Sequence, residues 1–250
     1  MSVRRVGLIV PSSNVTVETE LPAIMREVPG ATLSFHSSRA RMKEVTAEQL
    51  SAMNGEAQRC ATELSDADVE VIVYGCLVAL ISQGPTFHEQ AAREIGAAAA
   101  ANGREVPVLT SAGALVSGLQ AIGAERVAIV TPYMKSLTAK LVDFLSANDI
   151  EVVDSVSLEV ADNVEVGRLD TSRLPEIADR LDVSRAQAVV LSACVQMPSL
   201  AAITTVERQL GLPALSAATA TARELLTTLQ IDGRAPVGGA LLDGRWTMAV

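Results

Sequence analysis

Short runs of β-branched and aliphatic residues alternate along the chain with longer Ala- and Leu-rich segments whose apolar positions recur at helical spacing. Strands covered on both faces read as continuous apolar runs, so this alternation predicts βαβ units around parallel sheets. The pattern predicts strands at Arg5–Val10, Thr32–His36, Val69–Gly75 and Val106–Thr110. It predicts a second set at Arg126–Thr131, Ile150–Val156, Ala186–Ser192 and Ala214–Ser216. Helices are predicted over Val15–Val28, Ala47–Ser65, Phe87–Asn102, Leu115–Ile122, Leu137–Asn148, Ser172–Leu181, Leu200–Leu210 and Thr219–Leu229.

The two sets echo one another in the same order and at similar spacing. Val6-Gly7-Leu8-Ile9-Val10-Pro11 matches Val127-Ala128-Ile129-Val130-Thr131-Pro132, and Val71-Ile72-Val73-Tyr74-Gly75-Cys76 matches Val189-Val190-Leu191-Ser192-Ala193-Cys194. Val106-Pro107-Val108-Leu109 likewise matches Leu212-Pro213-Ala214-Leu215. The expected fold class is α/β: two pseudo-symmetric halves, each a mostly parallel sheet flanked by helices, with the active site in the cleft between them. Residues 1–112 would form the first half and 113–215 the second. Residues 216–250 would supply a C-terminal helix and tail that return to pack on the first half. The Gly-rich stretch from Asp232 to Trp246 is expected to be an edge strand or a subunit contact.

Composition narrows the partners. A net charge of -9 argues against nucleic acid, which is bound through a basic surface. Aromatics make up only 2% of the residues, so aliphatic packing carries the core. The apolar stretch after Arg4 and Arg5 stops at Pro11-Ser12-Ser13-Asn14, too soon for a secretion signal. The longest apolar run, near Val71 to Ile81, is far shorter than a membrane span. Three cysteines without a C-x-x-C suit a reducing cytosol, so a soluble cytoplasmic protein is expected.

Open parallel sheets place their sites at the carboxyl ends of the strands, and there the repeat puts Cys76 and Cys194. A thiol ahead of a helix meets free N–H groups that draw its pKa down from about 8.5 towards thiolate. The bland alternative is a pair of small core hydrophobes, and equivalent positions in a duplicated chain weigh against it. Pro198 suits a first helical turn, so Cys194 is expected to lie closer to a helix start and to be the better thiolate on local electrostatics. Cys60, without a counterpart, reads as packing. Asn14 fits an N-cap or a carboxylate donor equally well, and Tyr133 reads equally as a hydroxyl donor or an ordinary loop tyrosine. Asn163 by spacing is an ordinary loop residue. Neither His36 nor His88 has partners at metal-ligand spacing, and no dinucleotide or Walker-type loop is present, so no cofactor is expected.

Two pseudo-repeated halves with facing cysteines resemble the aspartate/glutamate racemase superfamily. Within it, Gly7 through Asn14, Tyr74-Gly75-Cys76, Thr131-Pro132-Tyr133 and Ser192-Ala193-Cys194 most resemble the maleate cis–trans isomerases. Racemases usually follow each cysteine with a polar pair. Here Leu77-Val78 and Val195-Gln196 follow, which suits an unsaturated dicarboxylate better than an amino acid. The resemblance implies cofactor-independent isomerisation of maleate to fumarate, with Cys76 as nucleophile and Cys194 as its proton-handling partner. It implies that Asn14, Tyr133 and Asn163 bind the carboxylates, helped by backbone N–H groups of Leu77, Val78, Val195 and Gln196. It also implies a small dicarboxylate substrate and a homodimer. The alternatives are a two-cysteine amino-acid racemase and a redox module closing a reversible disulfide.

Overall fold

The structure, a computed structural model, describes residues 3–245. Its first sheet has the order β2-β1-β3-β4, formed by β1 (Arg4–Pro11), β2 (Leu33–Ala40), β3 (Val71–Tyr74) and β4 (Val108–Thr110). Its second has the order β6-β5-β7-β8, formed by β5 (Arg126–Thr131), β6 (Glu151–Ser157), β7 (Ala188–Ser192) and β8 (Ala214–Ser216). All pairings within the two sheets are parallel. The fully buried β3, β7 and β8 are the continuous apolar runs of the sequence.

Eleven α-helices connect and cover the strands of the described residues. In the first half these are α1 (Val17–Arg26), α2 (Ala47–Asp66), α3 (Leu77–Ile81), α4 (Phe87–Ala101) and α5 (Ser111–Ala121). Then come α6 (Lys135–Ser146), α7 (Asn163–Gly167), α8 (Leu174–Ala178), α9 (Ile203–Leu210), α10 (Ala217–Thr228) and α11 (Ala240–Asp243). Three short helices, α3, α7 and α11, lie where the sequence pattern predicts none; α3 follows Cys76 at a strand end and α7 begins with Asn163. Four or five residues make too little periodicity to read. The helix after β4 begins at Ser111 rather than Leu115, because the Thr110 side chain caps it through the Gly113 N–H.

The duplication is visible in single hydrogen bonds. Gly75 donates its N–H to the Ile9 carbonyl, and Ala193 donates its N–H to the Val130 carbonyl at the corresponding place in β5. The strand partners are one residue out of step, since Val6 pairs with Val71 whereas Val127 pairs with Ala188. The β7–β8 ladder has a register shift between Val190 and Ser192. Each cysteine thus leaves its strand at the same point.

The helices following β4 and β8 hold the halves together. α5 packs along α10, and α10 also packs on α1. A Cβ on Gly118 would come within 3.1 Å of the Ala220 methyl, so the small residue allows that crossing. Between residues 232 and 245 the tail forms a 3-10 turn (Pro236–Gly238) and α11, not the expected edge strand. The Glu207 carboxylate draws this segment in by accepting the Ala240 N–H, which leaves no extended edge to pair. Trp246, the end of that expectation, lies outside the described residues. No helix among the described residues is long and apolar enough to cross a membrane.

Candidate active site

Cys76 and Cys194 come together across the cleft. Both are buried, and the Cys194 sulfur adds electrostatically to the shift of the Cys76 thiol. Cys76 is the N-cap of α3, and the Ala79 N–H faces its sulfur. The expectation that Cys194 lies closer to a helix start is corrected here. After Cys194 the chain runs through a turn to a 3-10 segment at Leu200–Ala202, and α9 begins only at Ile203. Ser192 shapes that turn, its hydroxyl donating to the Cys194 and Met197 carbonyls.

The thiol pKa values also depart from expectation. Burial pushes the Cys76 thiol up to about 12, against the single lowering contact of the Ala79 N–H. Burial raises Cys194 as well, opposed by the Tyr133 hydroxyl and the N–H groups of Gln196 and Met197. In this closed arrangement desolvation outweighs the amides, and both sulfurs are held as neutral thiols. The Gln196 N–H bonds the Cys194 sulfur at 3.4 Å, with the Tyr133 hydroxyl and the Met197 N–H close by, so the surroundings favour charge on Cys194.

The donors predicted from sequence are drawn towards Cys194: Tyr133 lies beside its sulfur, and Asn14 and Asn163 sit on segments tied to Gln196. Asn14 accepts the N–H groups of Thr16 and Val17 through Oδ1, at 3.0 and 3.1 Å, and so organises the start of α1. Its Nδ2 is buried without a partner. A buried amide N–H left unmade costs on the order of 1–3 kcal/mol, which an anionic ligand would recover. Tyr133 is buried rather than half-exposed, and its hydroxyl donates to the Ala193 carbonyl at 3.2 Å. Burial raises its pKa well above the usual phenol value, so it remains a donor. Asn163 is no loop residue. It opens α7, capped by the Asp162 carboxylate, and gives its Nδ2 to the Ser13 hydroxyl at 2.8 Å. Leu77 and Val78 supply first-turn amides of α3, a position where helices leave N–H groups without internal partners. Val195 N–H has no partner among the described residues. The Gln196 N–H points at the Cys194 sulfur, 3.4 Å away.

Further residues shape the cleft that sequence reading passes over. Segment 41–46 connects β2 to α2 and reaches the second half. Met42 receives hydrogen bonds from Ser12 and Ser13, and Glu44 forms a bridge with Asp162 of the second half. Glu20 is buried in α1, and its Oε1 accepts the Ser199 and Leu200 N–H groups at 2.7 Å each, gripping the loop after Cys194. Its spacing from Val17, Leu21 and Ile24 puts it on the apolar face of the helix, the one sequence signal that marks it. Cys60 is buried in α2 among core residues, as read. No group of three or more His, Cys, Asp or Glu among the described residues is placed to hold a metal ion.

Comparison with known proteins agrees with this arrangement. The arylmalonate decarboxylase family description matches residues 6–242. A maleate isomerase of Geobacillus stearothermophilus is 52% identical over 246 residues, covering 97% of this chain and 98% of the relative. The crystal structure of the maleate isomerase Iso from Pseudomonas putida S16 superposes with a TM-score of 0.95 at 49% identity, covering 97% of this chain and 99% of that one. A cysteine-to-serine variant of the Nocardia farcinica maleate cis-trans isomerase, with a covalently bound succinylcysteine intermediate, also has a TM-score of 0.95. It is 48% identical and covers 97% of this chain and 99% of that one. With its two parallel sheets and paired cysteines, the chain belongs to the arylmalonate decarboxylase family and, within it, to the maleate isomerases.

Proposed function

We propose that this protein isomerises maleate to fumarate by reversible thiol addition. The observation that carries the reading is the buried pair Cys76 and Cys194, with the unpartnered Asn14 amide on a turn that Gln196 ties to the Cys194 turn. The succinylcysteine in the Nocardia relative supports the same chemistry.

The chemistry follows from the alkene. Rotation about the double bond of maleate is blocked until that bond becomes single. The reacting form has lost one of the two thiol protons to water and carries Cys194 as the thiolate; this takes the remaining proton from Cys76, and the Cys76 sulfur pair forms a C–S bond to one alkene carbon. The π pair moves to the neighbouring carbon and spreads into its carboxylate. The central bond, now single, turns. The same pair then re-forms the double bond as the C–S bond breaks, fumarate leaves, and the proton returns from Cys194 to Cys76. Charge built on the carboxylate needs donors already in place. Asn14 Nδ2, the Tyr133 hydroxyl, Asn163 and the amides of Leu77, Val78 and Val195 are assigned to that task. The Gln196 N–H stabilises the Cys194 thiolate instead.

Apolar neighbours at Leu77, Val78 and Val195 favour this substrate over an amino acid, whose ammonium group would need an acceptor. The reading extends to a cytoplasmic homodimer, supported by three free cysteines and by the family resemblance. The test is incubation of the purified protein with maleate, without added cofactor, and chromatographic detection of fumarate. Accumulation of fumarate is expected, and its absence at any protein concentration would overturn the reading. Racemisation of aspartate or glutamate would point to the other branch of the superfamily.

A further inference from the structure

The Gln196 side chain makes more hydrogen bonds than any donor assigned to substrate, and all of them are to protein. Its Oε1 accepts the Val15 N–H at 2.9 Å and the Thr16 N–H at 3.4 Å. Its Nε2 donates to the Ser13 carbonyl at 3.0 Å and the Asn163 carbonyl at 2.7 Å. With its own N–H on the Cys194 sulfur, this one buried residue joins three chain segments. These are the β1–α1 turn bearing Asn14, the start of α7 bearing Asn163, and the turn bearing Cys194. The amide is spent fully: two acceptor sites and two donors are all engaged, as a buried amide requires.

Gly167 makes room for it. A Cβ at this last residue of α7 would lie 2.7 Å from Gln196 Nε2 and 3.1 Å from a Val15 methyl. Nothing about its backbone torsion demands glycine, since its φ is not in the left-handed region. The requirement is space for the Gln196 amide.

We infer that Gln196 is a positioning residue, a clasp that locks the Asn14, Asn163 and Cys194 segments into one carboxylate-binding geometry, with Gly167 as its seat. Gln196 touches no substrate through its side chain. It acts by holding the groups that do, so its removal loosens ground-state binding first. This inference rests on the isomerase reading for its kinetic arm only.

Three variants and two readouts test it. Gln196→Met keeps the length and removes all four side-chain hydrogen bonds. Gly167→Ala displaces the amide without touching it. Gln196→Glu reverses the polarity at Nε2, so its ionised form sets a carboxylate oxygen against two carbonyls, and its protonated form restores one donor. In steady-state assays with maleate, Gln196→Met and Gly167→Ala should raise KM by about tenfold, with kcat falling less than KM rises. A purely structural role would lower the active fraction, hence apparent kcat, and leave KM alone. The Gln196→Glu activity relative to wild type should climb as pH is lowered. Independently of turnover, deuterium exchange of the peptide covering Val15 should run at least about tenfold faster in Gln196→Met and Gly167→Ala. If the wild type fails to convert maleate, the isomerase reading falls and the exchange arm still judges the clasp. KM values within about twofold of wild type, or unchanged exchange at Val15, would overturn the inference.

Discussion

At the residue scale the two cysteines were legible because a duplicated chain marks equivalent positions twice. What the sequence hides is their desolvation. Strand-end amides suggest lowered thiol pKa values, yet complete burial drives Cys76 the other way. Whether a thiol is wet or dry depends on segments far along the chain, such as Tyr133 and the turn after Cys194. Asn14 shows the reverse case: its Oδ1 steadies the start of α1, although Thr16 is the N-cap, and its Nδ2 is left for the donor role assigned to it. The division of labour between the sulfurs is directly testable. Cys76→Ser and Cys194→Ser should each lose at least about a thousandfold in turnover, because a serine hydroxyl is a far poorer anion than a thiol. Only Cys194→Ser should trap adduct: on soaking in maleate the Cys76 sulfur adds slowly, its proton passing through water to the succinyl carbon, and the Cys76 peptide should gain the mass of one maleate in mass spectrometry. The same gain on the Cys194 peptide of Cys76→Ser would exchange the two roles.

At the element scale, every strand and the long helices were readable from periodicity, with ends displaced by a few residues. Of the missing helices, α3 and α7 carry Cys76's neighbours and Asn163. A single turn owes its existence to capping by Asp162 or to strand-end geometry, and neither leaves a repeat in the sequence. The contact between α1 and the loop after Cys194 left only a faint mark, since the sequence puts Glu20 on the apolar face of α1 without naming what it grips. That carboxyl has consequences for stability. Burial raises its pKa above the usual carboxylate value, outweighing the two amides that face it. A group with a raised folded pKa contributes stability that is whole below its unfolded pKa of about 4.3 and is lost as pH rises through the folded value. Glu20→Gln keeps an acceptor for Ser199 and Leu200 and removes the titration. Its Tm relative to wild type should therefore rise by a few degrees between about pH 4.5 and about pH 8, where roughly 1 kcal/mol corresponds to 2–4 °C in a chain of this size. A Tm difference that stays constant across that span in thermal unfolding would show that Glu20 does not titrate between the two pH values.

At the scale of the whole molecule, the order of repeats foretold two equivalent sheets, and the one-residue slip between Val71 and Ala188 was absorbed at a register shift that no alignment of the two motifs reveals. The halves are clamped by α5 against α10 on one side and bridged by segment 41–46 on the other. Both thiols are buried between halves joined in this way, so their reactivity is tied to how the halves open. With Cys76 pushed up to about 12, the thiolate fraction in the closed state at neutral pH is negligible. A small alkylating reagent must wait either for base or for segment 41–46 to swing away and let water in. Iodoacetamide labelling of Cys76, followed by peptide mass spectrometry, should be slow at about pH 7 and still climbing at about pH 10, whereas an exposed thiol with a pKa near 8.5 levels off before then. Weakening the bridge with Ser13→Ala, which removes a hydroxyl from Met42, should raise the neutral-pH rate several-fold by populating the open state. Labelling that levels off near the ordinary thiol value, with no response to Ser13→Ala, would mean that the resting cleft is already open to water and that the closed arrangement forms only around a bound dicarboxylate.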